Sequence, residues 1–247
     1  MMDIPTVSNI PFVDTAQMVE VDRAMMEDYE ILLMQMMENA GRNLAHLARI
    51  RFFNGDPRSR SVVVMAGTGG NGGGGLVAAR RLHNYGANVT VYLSAEDENF
   101  APIPQHQLDI LRNMELDIRP GEEIAAQSQP DLILDAVIGY SLKGAPYGTP
   151  KTLIEWANQS RAVILSLDAP SGIDTTSGQV FDPAIKATAT MTLALPKAGF
   201  RAAGVAAQLG ELYLADISVP SGLYAKPPLN IDVHAIFAES DIVRVLL

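Results

Sequence analysis

The chain has 247 residues, 48% of them hydrophobic, which suffices for one large α/β domain or two small ones. Its net charge of −10 disfavours a nucleic-acid partner, and the lack of cysteine excludes disulfides, zinc–thiolate sites and thiol nucleophiles. The first residues do not resemble a signal peptide, and no apolar run approaches the ~18 residues that a membrane span requires. We therefore predict a cytoplasmic protein with no membrane partner.

The N-terminal part of the chain is predicted to be helical. Residues 1–10 are expected to form a loose tail. Thr15 is a good N-cap for a helix that continues to about residue 29, and a second helix is expected over residues 32–53. The Asn-Gly-Asp-Pro sequence at residues 54–57 stops it.

Residues 61–93 predict one strand–loop–helix–strand unit. An apolar run leads into residues 67–75, of which seven are glycine, and an amphipathic helix over residues 76–85 precedes a second apolar strand. A loop that feeds a helix N-terminus suits a phosphate, although a tight turn alone also favours glycine. The loop matches GxGxxG, but Glu96 and Asp97 come two to three residues later than the acid that a dinucleotide fold places after its second strand.

The remaining chain alternates between helical and strand patterns. Helices are expected near residues 104–113, 122–128 and 149–159, and strands at residues 117–119, 131–138, 162–167, 187–195, 212–217 and 231–237. This alternation predicts a mostly parallel sheet with helices on both faces, in one domain over residues 1–247.

Two acidic residues end predicted buried strands. Asp135 and Asp168 follow neighbouring strands, so they are expected at the sheet edge where the glycine loop also opens. Each is also a reasonable N-cap for the next element. Ser171 follows in a rigid Pro-Ser-Gly segment, and Asn71 within the loop is either an oxygen ligand or a turn residue.

Taken in order, several blocks resemble the YjeF N-terminal domain family of NAD(P)H-hydrate epimerases. The similarity covers about residues 13–217. Its blocks are residues 15–41, 67–75, 130–139, 165–174, 192–199 and 210–220. The resemblance implies a Rossmann-like three-layer α/β/α fold with an N-terminal helical segment, an isomerase activity in nicotinamide nucleotide repair, and a homodimer.

The resemblance also implies a site. It implies a potassium ion held by Asn71, Asp135 and Ser171, and a catalytic Asp168. It implies that the hydrated nicotinamide nucleotide contacts Asp168 and two segments, which are Gly70, Asn71, Gly72, Gly73 and Gly74, and Gly139, Tyr140, Ser141, Leu142, Lys143, Gly144 and Ala145.

The glycine loop departs from the family pattern GNNGGDG. Gly70 replaces an asparagine and Gly74 replaces the acid. The alternative function is therefore a non-catalytic scaffold or nucleotide-binding domain with a degenerate loop. A fused dehydratase domain, which many bacterial members carry, is not expected in this chain.

Overall fold

In a computed structural model that describes residues 4–247, nine strands form one sheet in the order β1-β9-β8-β7-β6-β5-β2-β3-β4. All neighbouring strands are parallel except β8 and β9. The strands are β1 (Thr6–Val7), β2 (Ser61–Ala66), β3 (Asn88–Leu93), β4 (Asp117–Pro120), β5 (Leu132–Ala136), β6 (Val163–Leu167), β7 (Ala189–Leu193), β8 (Glu211–Ala215) and β9 (Ile242–Val245).

Helices cover both faces of this sheet. They are α1 (Thr15–Glu27), α2 (Leu33–Leu47), α3 (Gly70–Asn84), α4 (Pro102–Asn113), α5 (Gly148–Gln159), α6 (Ala206–Leu209) and α7 (Ser221–Tyr224). Alternate residues of β2 face opposite ways: Val62 and Val64 pack with α2, α3 and α4, while Val63 and Met65 pack with α5. The predicted three-layer α/β/α fold is confirmed. Among residues 4–247, no helix combines the length and apolar character needed to cross a bilayer.

The strand order reverses between β2 and β5. Successive strands β2, β3 and β4 run outward on one side, and β5, β6, β7 and β8 run outward on the other. The connections after β2 and β5 therefore diverge and leave a crevice at the carboxyl edge, which is where open parallel sheets bind ligands.

The N-terminal predictions need three corrections. Part of the expected loose tail is ordered, because Thr6–Val7 pairs with β9; residues 1–3 lie outside the described residues. The cap of α1 is Asp14, whose side chain accepts from the Gln17 N–H at 2.8 Å. The second helix is α-helical only to Leu47 and continues as a π-helical turn over Ala48–Phe52.

A helix and a strand predicted later in the chain also differ from the structure. The helix expected at residues 122–128 is a 3₁₀ turn, Gly121–Ala126. The strand expected at residues 231–237 does not form: Ile231, Val233 and Ile236 pack against the cluster beneath α1, and β9, which the sequence reading missed, occupies the edge of β8 instead. Apolar and polar residues alternate in residues 231–237, which is typical of a strand. Here the apolar side chains are instead partly buried in this cluster without forming a strand.

Candidate active site

The functional side chains predicted from sequence meet at the carboxyl edge beside the crevice. Asp135 is the last residue but one of β5, and Asp168 directly follows β6. Ser171 lies in the segment after β6, and Asn71 lies in the first turn of α3, which follows β2. Three neighbouring strands thus deliver these groups to one place.

Asp135 is completely buried and held by hydroxyl and backbone donors. Its Oδ1 accepts from Ser171 Oγ at 2.6 Å, and its Oδ2 accepts from Ser166 Oγ at 2.8 Å and from the Ser171 N–H at 2.9 Å. Ser171 Oγ in turn accepts from the Ile138 N–H at 2.9 Å. Burial raises the pKa of Asp135 although these hydrogen bonds oppose the rise.

The amide of Asn71 lies against Gly139, which follows Ile138, the residue whose N–H donates to Ser171. Both Oδ1 and Nδ2 of Asn71 are buried and form no hydrogen bond with any of residues 4–247. An ideal Cβ built on Gly139 would lie only 3.2 Å from Asn71 Cγ, so a side chain at position 139 would press on this amide. Unpaired buried polar groups are uncommon and call for an explanation.

A monovalent cation fits this donor set. The described residues give Asp135 no lysine or arginine partner, and a buried carboxylate without a compensating charge is costly. Amide, carboxylate and hydroxyl oxygens suit a hard cation. An ion here would offset the charge of Asp135 and give Asn71 Oδ1 a partner.

Asp168 forms a buried ion pair that the sequence reading missed. Lys197, whose side chain is 1% exposed, donates to Asp168 Oδ1 at 2.6 Å. Thr192 Oγ1 and the Leu193 N–H also donate to Oδ1, each at 3.3 Å. The other oxygen, Oδ2, accepts no hydrogen bond from residues 4–247. One oxygen of the carboxylate is thus fixed while the other remains available to a ligand.

The backbone at Asp168 is also unusual. Its φ of 64° lies in the left-handed region, which non-glycine residues rarely adopt and which is common at functional sites. The only sequence signal for its partner Lys197 was the similarity of residues 192–199 to the family, because a buried lysine and an exposed one look alike in a single sequence.

Asp22 and Tyr140 form a second polar pair in the same region. The Tyr140 hydroxyl donates to Asp22 Oδ2 at 2.5 Å. Burial raises the pKa of Asp22, and the negative charge of Asp168 adds to the rise. Burial also raises the pKa of Tyr140, with a further contribution from Asp22. Asp22 was not predicted as a site residue, since it lies on α1, far away in the chain.

Comparison with known proteins identifies the family. The family described as "YjeF-related protein N-terminus" matches residues 33–199. This chain belongs to that family.

Curated relatives extend the match of this YjeF-related chain. It is 41% identical over 218 residues to an NAD(P)H-hydrate epimerase of Dehalogenimonas lykanthroporepellens, covering 86% of this chain and 84% of that protein. It is 36% identical over 225 residues to the bifunctional NAD(P)H-hydrate repair enzyme Nnr of Moorella thermoacetica, covering 88% of this chain but only 42% of that protein. The crystal structure of the yeast protein ynu0 shares the fold, with a TM-score of 0.79 at 22% identity, over 95% of this chain and all of that one.

The glycine run of this YjeF-related protein is mostly helix, which corrects the predicted loop. Helix α3 begins at Gly70, and its first intrahelical bond runs from the Gly73 N–H to the Gly69 carbonyl at 3.0 Å. The N–H groups of Gly70, Asn71 and Gly72 precede that bond, so they face the crevice end of the helix. Such groups suit an anion.

Close packing explains the glycines inside α3. An ideal Cβ would lie 1.7 Å from the Gly67 carbonyl oxygen at Gly72, 2.7 Å from Met37 Sδ at Gly73, and 2.8 Å from Leu167 Cδ2 at Gly74. Contact between substrate and Gly73 or Gly74 stays a prediction, because both are buried against the protein's own side chains. A side chain at position 74 would require Leu167 to move.

The predicted substrate segment at residues 139–145 borders the crevice. Gly139 is buried against Asn71, and Tyr140 reaches Asp22. Three residues, Ser141, Lys143 and Ala145, are exposed, whereas Leu142 and Gly144 are partly buried. Contact between Lys143 and an anionic ligand stays a prediction.

Proposed function

We propose that this protein is an isomerase that interconverts the R and S forms of hydrated NADH and NADPH, NAD(P)HX, for nicotinamide nucleotide repair. The observation that carries the proposal is Asp168, a carboxylate that is 4% exposed, fixed through Oδ1 and free at Oδ2 beside a crevice and a helix N-terminus. The names of the Dehalogenimonas and Moorella relatives support the same reaction.

The chemistry requires only proton movement. The hydrate carries a hydroxyl on the carbon next to the ring nitrogen. Asp168 Oδ2 accepts the proton of this hydroxyl, the carbon–nitrogen bond breaks, and its electron pair moves to the nitrogen and through the adjoining double bond to the carboxamide oxygen. The resulting aldehyde rotates, the nitrogen attacks its other face, and Asp168 returns the proton. Positioned proton transfer contributes roughly 10²- to 10⁴-fold to such a rate.

The ion pair with Lys197 suits Asp168 to this role. The ammonium compensates the charge of the buried carboxylate and is itself held by the Leu193 and Leu195 carbonyls, at 3.0 and 3.1 Å. Thr192 Oγ1 fixes the rotation of the carboxylate from a second direction. These contacts therefore hold Asp168 Oδ2 in one orientation while the substrate ring opens and closes.

We include K⁺ in the proposal, held by Asn71, Asp135 and Ser171. When bound, the ion supplies a positive charge near the substrate phosphates. The unpartnered Asn71 amide supports this assignment. We expect KCl to raise the melting temperature of the protein more than choline chloride does, and Asn71→Ala to remove the difference. An equal effect of the two salts on the unchanged protein would contradict the assignment.

A homodimer is also part of the proposal. Val19 and Met26 are 53% and 42% exposed and lie seven residues apart on α1, so they share one face of that helix. Leu32, 64% exposed, follows that helix. Sedimentation velocity tests this proposal. A dimer that Met26→Glu dissociates would support dimerisation through this face of α1, and a monomeric unchanged protein would contradict it.

Epimerisation is tested with a chemically prepared mixture of the two hydrates followed by NMR. We expect equilibration by the unchanged protein and a loss of at least about 10²-fold in Asp168→Asn. Asp56→Asn is the matched control, because Asp56 is exposed and lies in the turn before β2, at the opposite edge of the sheet from Asp168. Full turnover by Asp168→Asn would remove Asp168 from the mechanism. No turnover by the unchanged protein would favour the alternative of a non-catalytic nucleotide-binding domain.

A further inference from the structure

A second cavity opens at the carboxyl edge, on the far side of the crevice from Asp168. Its volume is about 560 Å³, within the range of small-molecule sites. It lies where β3 and β4 end and α5 begins. Its polar lining includes Ser94, Glu96, Asp97, Arg112, Arg119 and Thr149. The chemistry proposed for Asp168 makes no use of it.

Backbone hydrogen bonds connect the wall of the cavity to the end of β2. The Ser94 N–H donates to the Ala66 carbonyl at 2.9 Å, and the Ala101 N–H donates to the Thr68 carbonyl at 3.1 Å. Both acceptors belong to the end of β2 and the turn that leads into α3. The wall of the cavity is therefore tied to the helix N-terminus that suits a phosphate.

The strand order places the cavity and the Asp168 site on opposite sides of β2. Strands β3 and β4 lie on one side of β2, while β5, β6 and β7, which carry the Asp168 site, lie on the other. A sheet that reverses in this way accommodates a dinucleotide with one nucleoside on each side and the pyrophosphate at the helix N-terminus between them.

The arginine side chains that line the cavity are paired with carboxylates, but not every lining carboxylate is paired with a cation. The Arg112 guanidinium donates to Asp97 at 2.6 Å, and that of Arg119 donates to Asp117 at 2.7 Å. Two other lining carboxylates, Glu96 and Glu122, are exposed and form no ion pair within residues 4–247. Glu122 accepts a hydrogen bond from the Thr149 hydroxyl, whereas the Glu96 carboxylate accepts none from these residues. The uncompensated charge that the cavity offers to a ligand is thus a carboxylate.

We infer that this cavity holds the adenosine half of the hydrated dinucleotide and that Glu96 accepts hydrogen bonds from its ribose hydroxyls. The inference rests on the proposed function for its substrate. A carboxylate accepts from a diol and repels a phosphate on the same ribose. The protein therefore prefers hydrated NADH to hydrated NADPH.

Kinetics with both hydrates test the preference. We expect a higher kcat/KM for hydrated NADH, and a shift of the ratio by about tenfold toward hydrated NADPH in Glu96→Arg. Glu98→Arg is the matched control, because Glu98 is also exposed, carries the same charge and does not line the cavity. Equal ratios in the two variants would overturn the inference and leave epimerisation intact.

A truncated substrate tests the location. The hydrate of reduced nicotinamide mononucleotide lacks the adenosine half, so we expect a lower kcat/KM that Glu96→Arg does not change. Turnover equal to that of the full dinucleotide would show that the cavity contributes nothing.

Binding separates the inference from the reaction. Calorimetry with ADP-ribose and its 2′-phosphate needs no turnover, and we expect the first to bind about tenfold more tightly, with the order reversed in Glu96→Arg. Failure of both ligands to bind overturns the inference even if the hydrates epimerise. Binding without epimerisation upholds the cavity and refutes the proposed reaction.

Discussion

Replacing Lys197 with methionine keeps most of the length of the side chain and removes its charge. The ammonium donates to Asp168 Oδ1 at 2.6 Å, to Thr192 Oγ1 at 3.1 Å, and to two main-chain carbonyls. After the change, Asp168 keeps only two long hydrogen bonds, both of 3.3 Å. Removing one partner of a buried ion pair costs about 3–5 kcal/mol, so we expect Lys197→Met to lower the free energy of unfolding by that amount.

Urea unfolding followed by the fluorescence of Trp156, the single tryptophan, measures this loss. Adding Asp168→Asn to Lys197→Met removes the unpaired charge, so the double variant should regain about 1–3 kcal/mol relative to Lys197→Met alone. The reasoning would be refuted if Lys197→Met cost less than about 1 kcal/mol, or if Asp168→Asn destabilised the Lys197→Met protein as much as it destabilises the unchanged one.

Two further predictions concern packing and pH. Gly72→Ala should destabilise the protein by about 1–3 kcal/mol or more, because the new Cβ would meet the Gly67 carbonyl. Gly70→Ala, whose Cβ would have no atom nearer than 3.9 Å, should be neutral or stabilising by up to about 1 kcal/mol. Equal melting temperatures of the two variants would contradict this reasoning. The hydrogen-bonded Arg51 lowers the pKa of Glu211 from 4.5 to about 2, so the pair stabilises the fold above pH 4.5 and this contribution is lost as the pH falls toward 2. Glu211→Gln should lower the free energy of unfolding by about 1–2 kcal/mol at pH 7, a figure that allows for solvent screening, and by almost nothing near pH 2. Urea unfolding at both pH values measures this difference.

The sheet and its ligand edge were predictable because their signals are local. Buried parallel strands are short apolar runs, and the carboxyl ends of neighbouring strands must share an edge. That rule predicted a shared edge for Asp135 and Asp168, and the family resemblance implied one site for Asp135 and Ser171; the Asp135 Oδ1 and Ser171 Oγ atoms lie 2.6 Å apart. The family resemblance supplied what the rule lacks, which is the chemistry expected at that edge.

The features that the sequence concealed depend on tertiary contacts. Glycine in a helix costs about 1 kcal/mol relative to alanine, so a run of six within residues 69–75 favours a loop; contacts with Met37, Leu167 and the Gly67 carbonyl reverse that preference. Lys197 has no local feature that distinguishes a buried lysine from a solvated one. Only the pairing of β7 with β6 brings Lys197, which follows β7, to Asp168, which follows β6.

The parallel strands β2 to β8 all begin at the edge of the sheet opposite the crevice, where connecting segments lead into them. The turn into β2 exposes Asp56 and Arg58, and the turn into β4 exposes Glu115. The side chains that we propose to bind or react lie at the opposite end of these strands. Fluorescent labels, affinity tags or new chain openings placed at these turns would therefore report on the protein, or tether it to a surface, without reaching its chemistry.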